Sequence, residues 1–326
     1  MFKDVIGLSG LKQILKSFLK TNNHLSNFIF IGARGCGKST MALSFAKSIF
    51  CFNHSGGGES CGSCESCLMF ERGQHPDFIL VKPTSATIKI SQIQTLQNKI
   101  LSAPALSSKR VVFIKNADKL GLEAANAFLK TFEEAHHRCF IILSISTQKN
   151  LLPTLLSRGV KIYFPILTDH QISDILKIKF NWEQSQINQY QFIFKQGIRK
   201  DWIENWDEFS ALRDEVIKIL LDLPKSDFSK VLFAITNWAN KNQTLLVIEI
   251  LMSWFRDVIV INHSQKGYLI NQDYLLPLKE SFWCKIDFLN IYDLLLMLRQ
   301  SERAIHFQAN KNLSLISTFI RLKELS

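Results

Sequence analysis

Residues 32–39 have the sequence Gly-Ala-Arg-Gly-Cys-Gly-Lys-Ser, and this stretch decides the expected fold. An apolar run of strand type, 28–31, precedes it, and residues 41–47 have helical spacing. Glycines in such a loop let backbone N–H groups surround phosphate oxygens, while the lysine reaches the terminal phosphates and the serine ligates Mg²⁺. The helix that follows presents its positive N-terminus to the same anion. The residues expected to bind ATP or ADP are Gly32, Gly35, Gly37, Lys38, Ser39 and Thr40.

A second apolar strand, 111–114, ends where a phosphate-loop ATPase places its acids. Lys115 and Asn116 occupy those two positions; lysine cannot ligate Mg²⁺ and asparagine cannot accept a proton from water. Asp118 would replace them only if the strand ended late. We therefore expect negligible hydrolysis by this chain alone and a weakened dependence on Mg²⁺. For the Lys115 side chain two interpretations stay open, a contact with phosphate and extension into solvent.

Four cysteines follow the loop with the spacing C-x9-C-x2-C-x2-C: Cys51, Cys61, Cys64 and Cys67. Four close thiolates suit a structural tetrahedral zinc site, with no coordination position left for catalysis. His54 is an alternative ligand for one position, and an iron–sulfur cluster is the rival interpretation. A disulfide framework is the weakest option, because the N-terminus has no signal-peptide pattern. The other three cysteines are isolated, which is typical of a reduced cytoplasmic chain.

The composition indicates two or three domains in 326 residues, of which 47% are hydrophobic. No apolar stretch is long enough for a membrane span, so we expect no membrane partner and a cytoplasmic location. The formal net charge is +11, and it is unevenly placed: residues 1–165 carry 20 Lys and Arg against 9 Asp and Glu, whereas the remainder carries 19 of each. A basic first half is consistent with nearby nucleic acid or an acidic partner protein.

The pattern of elements changes at Pro165. Before it, apolar runs at 28–31, 78–81, 111–114, 140–145 and 160–164 alternate with helical segments, which predicts an α/β domain with a parallel sheet covered on both faces. After Thr168, a residue suited to cap a helix, the pattern is helical almost throughout. Longer amphipathic helices begin at Asp207, and their tryptophans are expected in the core.

Several segments resemble the delta-prime subunits of bacterial DNA polymerase III clamp loaders, and together they cover nearly the whole chain. They are Gly73–Leu80, Ile88–Ile93, Asn126–Glu134, Leu152–Arg158, Trp254–Asp257 and Ala309–Leu313. The resemblance implies an AAA+ nucleotide-binding domain over 1–165 with an inserted zinc module at 51–67. It also implies a small helical lid domain over 166–206 and an all-α collar domain over 207–326.

The resemblance further implies a task and a catalytic contribution. Such subunits join gamma/tau and delta subunits in a hetero-pentameric ring, part of the polymerase holoenzyme, that loads the sliding clamp onto primed DNA. They act as a fixed stator whose Ser-Arg-Cys motif supplies an arginine finger to ATP on the neighbouring gamma/tau subunit. Here the motif is Ser157-Arg158-Gly159, so Arg158 matches the finger and Gly159 replaces the cysteine.

Two alternatives stay open from the sequence. A gamma/tau-type ATPase subunit shares the loop, the cysteines and the Ser-Arg pair, but would carry an Asp-Glu pair where Lys115 and Asn116 stand. A stand-alone zinc-bearing nucleotide-binding protein would not need the collar-like C-terminal third.

Overall fold

A computed structural model describes residues 2–20, 27–54, 58–84, 87–134, 139–263, 269–306 and 309–326. They form two compact units, the first Met1–Ile175 with Gln196–Ile198 and the second Leu176–Lys195 with Arg199–Ser326. The finer division into a lid over 166–206 and a collar over 207–326 stays a prediction. In the described part of the chain, none of the helices has the length and apolar character needed to cross a bilayer.

The first unit is built on a five-stranded parallel sheet with the order β2-β3-β4-β1-β5. All five strands predicted from apolar runs are present, within one residue of the expected ends. They are β1 Asn27–Ile31, β2 Phe78–Val81, β3 Arg110–Ile114, β4 Cys139–Ile145 and β5 Val160–Tyr163. Because the strands are parallel, the carboxyl ends of β1, β3 and β4 meet at one edge.

Helices cover both faces of this sheet, as the predicted AAA+ phosphate-loop class requires. Side chains alternate along β1: Phe28 and Phe30 pack with α1 and α2, and Ile29 and Ile31 pack with α4 and α5. The helices of the first unit are α1 Ser9–Lys20, α2 Lys38–Phe50, α3 Glu65–Glu71, α4 Ile90–Leu101, α5 Leu122–Glu134 and α6 Pro153–Leu156. Helix α7, Asp169–Phe180, contains the boundary between the units, and the Thr168 hydroxyl accepts a hydrogen bond from Gln171 N at its start, as expected.

The second unit is helical throughout its described residues. Its helices are α8 Gln184–Tyr190, α9 Lys200–Glu204, α10 Trp206–Asp222, α11 Phe228–Asn240, α12 Thr244–Asn262, α13 Leu275–Glu280, α14 Phe288–His306 and α15 Lys311–Leu325. Trp238, Trp254 and Trp283 are fully buried in one core, as predicted. Trp206 is only half-buried, against Trp182 and other rings, and lies outside that core.

Asp77, just before β2, is fully buried and fixes a loop of the first unit. Its carboxylate accepts hydrogen bonds from the backbone N–H groups of Ala105, Leu106 and Ser107 at 2.6–2.9 Å, and from the Ser107 hydroxyl. Burial raises the pKa of Asp77, but the N–H groups outweigh burial and hold this pKa below its usual range. The folded unit therefore gains stability from the ionised form. This gain is present above the ordinary Asp pKa and is lost as the pH falls through the depressed value.

We predict that Asp77→Asn loosens this loop while leaving the second unit unchanged. Losing charge-assisted hydrogen bonds should cost about 2 kcal/mol, because such bonds contribute about 1.5–3 kcal/mol each and asparagine retains one acceptor. Hydrogen exchange should accelerate at the amides of 105–107. All six tryptophans lie in the second unit, so their fluorescence transition in urea is an internal control. Unchanged exchange at 105–107 would contradict the prediction.

Candidate functional site

The phosphate-binding loop joins β1 to α2, which begins at Lys38. Gly35 and Gly37 have φ values of +81° and +98°, a region that residues with a Cβ rarely adopt. The Lys38 ammonium donates to the carbonyl oxygens of Gly32 and Ala33, at 2.6 Å each. These contacts fold the loop around its own lysine side chain. The positive φ values explain why the motif has glycine at these two positions.

Lys38 is almost completely buried, with 7% of its surface exposed. Burial lowers its pKa, and the nearby Cys36 and Asp118 oppose that effect. At the start of α2, Ser39 is half-buried and Thr40 is exposed. The loop thus encloses a buried cation and places hydroxyl groups at the carboxyl edge of the sheet.

A short segment, Gly197–Ile198, packs directly on the loop, which was not expected from the sequence. The N–H of Ile198 donates to the Gly35 carbonyl at 3.2 Å. A Cβ at Gly35 would overlap the Ile198 backbone, and one at Gly197, whose φ is +130°, would overlap the Arg34 carbonyl. Both glycines are therefore needed for this close approach. Gly197 itself was the one cue in the sequence, within a stretch assigned to the lid.

The three residues of interest after β3 differ in exposure and in contacts. Lys115 is exposed. Asn116 has φ +56°, and its N–H donates to the Ser144 hydroxyl at 3.1 Å. A short 3₁₀ turn, 117–119, then returns the chain, and Asp118 Oδ2 accepts a hydrogen bond from Ser146 N at 3.1 Å. Asp118 thus reaches the sheet edge although β3 ends at Ile114.

The four predicted cysteines come together at the end of α2. The sulfur atoms of Cys51, Cys61, Cys64 and Cys67 all lie within 4.8 Å of one another. Four thiolates around Zn²⁺ form a tetrahedron with edges of about 3.8 Å, since Zn–S bonds are about 2.3 Å. The cluster therefore fits a metal ion by geometry and donor chemistry. His54 is exposed and lies outside this group.

Backbone hydrogen bonds favour the thiolate form most clearly at one member of this cluster, Cys61. Cys61 N donates to Cys51 Sγ at 3.2 Å, and Cys64 N donates to Cys61 Sγ at 3.3 Å. The N–H donor of Cys64, with that of Ser63, lowers the pKa of Cys61 to about 5. Burial raises the pKa of Cys67 to about 12.

A buried polar chain connects the cysteine cluster to β2 through His75. Its Nδ1 accepts a hydrogen bond from Asp77 N, so its Nε2 carries the proton and faces the Ser66 hydroxyl at 3.1 Å. Ser66 in turn donates to the Phe50 carbonyl at 2.8 Å, and the Phe50 ring stacks on His75. Burial lowers the pKa of His75, which favours this neutral form. The residues on either side of the cluster are thereby held to the sheet.

Arg158 lies in the turn between α6 and β5, where its side chain is 42% exposed. Its Nε donates to Glu133 Oε1 at 2.6 Å and one terminal nitrogen donates to the Thr154 carbonyl at 2.9 Å. These two contacts fix the orientation of the guanidinium. A Cβ at the next residue, Gly159, would lie 2.6 Å from Cδ1 of Ile29. The core beneath this turn therefore favours glycine over the expected cysteine.

Comparison with known proteins agrees with this arrangement. A family described as DNA polymerase III, delta subunit, matches residues 8–168. The DNA polymerase III subunit delta' of Bacillus subtilis is 31% identical over 257 residues, which cover 78% of this chain and 77% of that protein. The chain belongs to the DNA polymerase III delta-prime family.

Two further relatives carry the gamma or tau name. The DNA polymerase III subunit tau/gamma of Haemophilus influenzae is 31% identical over 175 residues, 54% of this chain and 25% of that longer protein. A crystal structure of a DNA polymerase III gamma subunit-related protein from Thermotoga maritima has a TM-score of 0.47 at 16% identity, covering 96% of this chain and 99% of that one.

Proposed function

We propose that this chain is a clamp-loader subunit of DNA polymerase III that supplies Arg158 to a neighbouring ATPase subunit without hydrolysing ATP itself. One combination of observations carries the proposal. The phosphate loop is complete, the two positions after β3 hold Lys115 and Asn116, and Arg158 is exposed on a fixed turn. Membership of the delta-prime family, together with this arrangement of residues, supports the proposal.

An arginine in this position has a definite physical role. An arginine inserted across a subunit interface neutralises charge that develops on the transferred phosphoryl group. Its planar guanidinium grips two oxygens at once, and an ammonium cannot. Glu133 and the Thr154 carbonyl fix the orientation of the Arg158 guanidinium, so less conformational entropy is lost when its remaining N–H groups meet a phosphate.

The proposed partners are the gamma/tau and delta subunits in a hetero-pentameric ring, and through them the sliding clamp and primed DNA. The excess positive charge of residues 1–165 supports nucleic acid nearby. The tryptophan-rich helical core of the second unit supports a stable collar for assembly. A gamma/tau-type ATPase subunit is the second candidate, favoured by the shared phosphate loop and disfavoured by Lys115 and Asn116. A stand-alone zinc-bearing nucleotide-binding protein is the third, and a chain that binds no clamp-loader subunit would favour it.

We predict one Zn²⁺ per chain at the four cysteines, where it contributes to local folding. Elemental analysis of the purified protein should give about one zinc per chain, because the four thiolates supply all the ligands of one tetrahedral zinc ion. Cys67→Ser should lose the metal. Cys139→Ser, which changes a buried cysteine at the start of β4, is the matched control and should retain it. Iron, or no metal, in the wild-type protein would contradict the prediction.

We predict that the isolated chain binds ADP but does not turn over ATP. Lys38→Ala should weaken binding of a fluorescent ADP by about tenfold or more, since it removes the charge-assisted contact to phosphate. No Mg²⁺-dependent phosphate release should exceed the background of that variant. Turnover by the lone wild-type chain that disappears in Lys38→Ala would show that Lys115 and Asn116 do not prevent hydrolysis.

We predict that Arg158→Ala lowers ATP hydrolysis by the assembled, DNA-stimulated complex. Losing an arginine finger costs about 10³-fold or more in single-site systems, and a ring with several ATP sites should lose less. Arg158→Lys should recover little, because lysine lacks the fork. The measurement is steady-state phosphate release by the complete complex, with assembly checked by size-exclusion chromatography.

The matched control for Arg158 is Lys130→Ala. Lys130 is also an exposed cation beside an acid, Glu134, at 4.0 Å, and its loss should leave hydrolysis unchanged. If complexes with Arg158→Ala assemble normally and hydrolyse ATP at the wild-type rate, the residue is only a surface charge.

A further inference from the structure

Asp118 lies at the sheet edge that carries the phosphate loop. Its Oδ2 is held by Ser146 N, and Ser146 directly follows β4. Beside it, β1 pairs with β4 so that Ile31 faces Ile145, and Gly32 N donates to the Ile145 carbonyl at 3.2 Å. Neighbouring parallel strands are about 4.8 Å apart. The carboxylate therefore stands at the same edge as the first glycine of the loop.

The second carboxylate oxygen, Oδ1, has no donor. It is buried and accepts no hydrogen bond from the part of the chain that the structure describes. A buried carboxylate oxygen without a partner costs free energy unless a cation or water satisfies it. Lys38 does not reach it by hydrogen bonding, because its ammonium is engaged by Gly32 and Ala33, although the two charges interact. The unpaired oxygen thus lies in the field of the phosphate-binding lysine.

We propose that Asp118 ligates the Mg²⁺ of a nucleotide in this loop, in place of the acids missing at Lys115 and Asn116. Mg²⁺ is bound in nucleotide sites by one or two carboxylates together with phosphate oxygens, and the Ser39 hydroxyl adds another hard oxygen ligand. Asn116, with φ +56°, and the 3₁₀ turn after it bring the acid back to the sheet edge. Oδ2 stays engaged by Ser146, so the carboxylate is oriented before the metal binds.

This assignment rests on the proposed nucleotide-binding function, and it changes what Mg²⁺ does there. Asp118 holds the metal, but no acid at Lys115 or Asn116 polarises an attacking water. The loop then binds a metal–nucleotide complex tightly and keeps it unhydrolysed. The dependence on Mg²⁺ is retained, contrary to the weakening expected from Lys115 and Asn116.

The test compares binding of a fluorescent ADP to the full chain in Mg²⁺ and in EDTA. The wild-type protein should bind ADP at least about tenfold more tightly in Mg²⁺ than in EDTA. Groups that support a bound metal typically change affinity by this factor. Asp118→Asn, which keeps the shape and the acceptor for Ser146 N, should lose this difference. In EDTA the variant should bind at least as tightly as the wild type, because a negative charge near the phosphates has been removed. Glu123→Gln, a nearby exposed acid at the start of α5, should behave as the wild type.

A second readout observes the metal itself. Mn²⁺ in place of Mg²⁺ should give a protein-bound electron paramagnetic resonance signal with ADP, and this signal should be lost in Asp118→Asn. If the variant instead binds more weakly by the same factor in Mg²⁺ and in EDTA, Asp118 only supports the loop and the assignment is wrong. Equal binding by the wild type with and without Mg²⁺ also overturns it, while the nucleotide-binding proposal stands. Absence of any nucleotide binding by the wild type overturns both.

Discussion

The pairing of β1 with β4 in a sheet buried on both faces is the constraint on which the site depends. Phe28 and Phe30 on one face and Ile29 and Ile31 on the other fix β1 between two helical layers. The loop must then begin at Gly32, beside the end of β4. The same parallel arrangement brings the residues after β3 to this edge. The phosphate loop, Ser146 and Asp118 therefore all lie at the same edge of the sheet.

At this edge the residues favour nucleotide binding over hydrolysis, in line with the proposed function. The lysine, the glycines and the hydroxyl of a phosphate site are present, and the paired acids of an ATPase are replaced by Lys115 and Asn116. Arg158 lies just before β5, at the opposite edge of the parallel sheet, where its side chain is exposed and contacts Glu133 and the Thr154 carbonyl. A subunit that keeps the arginine and lacks the acids is suited to serve a neighbour's ATP rather than its own. That combination supports the proposed place of this chain beside an active ATPase subunit.

The segment around β2 explains residues that the resemblance singled out without giving them a role. His75 and Asp77 are buried, and both satisfy backbone groups. Asp77 fixes the loop before β3, and His75 reaches Ser66, next to the cysteine Cys67. These side chains therefore hold the cysteine module and the sheet together. Their part is structural, because each polar atom is already engaged by the protein.

The sequence by itself determined the five strands, the phosphate loop and the four-cysteine cluster, because each depends on local spacing and side-chain chemistry. Tertiary structure alone decided three contacts: Gly197 on Gly35, Asp118 at Ser146, and Glu133 on Arg158. Each joins residues at least 25 positions apart, so no local periodicity records it. The position of Asp118 further depends on one left-handed residue, Asn116, whose φ follows from how the turn packs. Long-range packing therefore set which acid lies beside the loop and which carboxylate contacts Arg158.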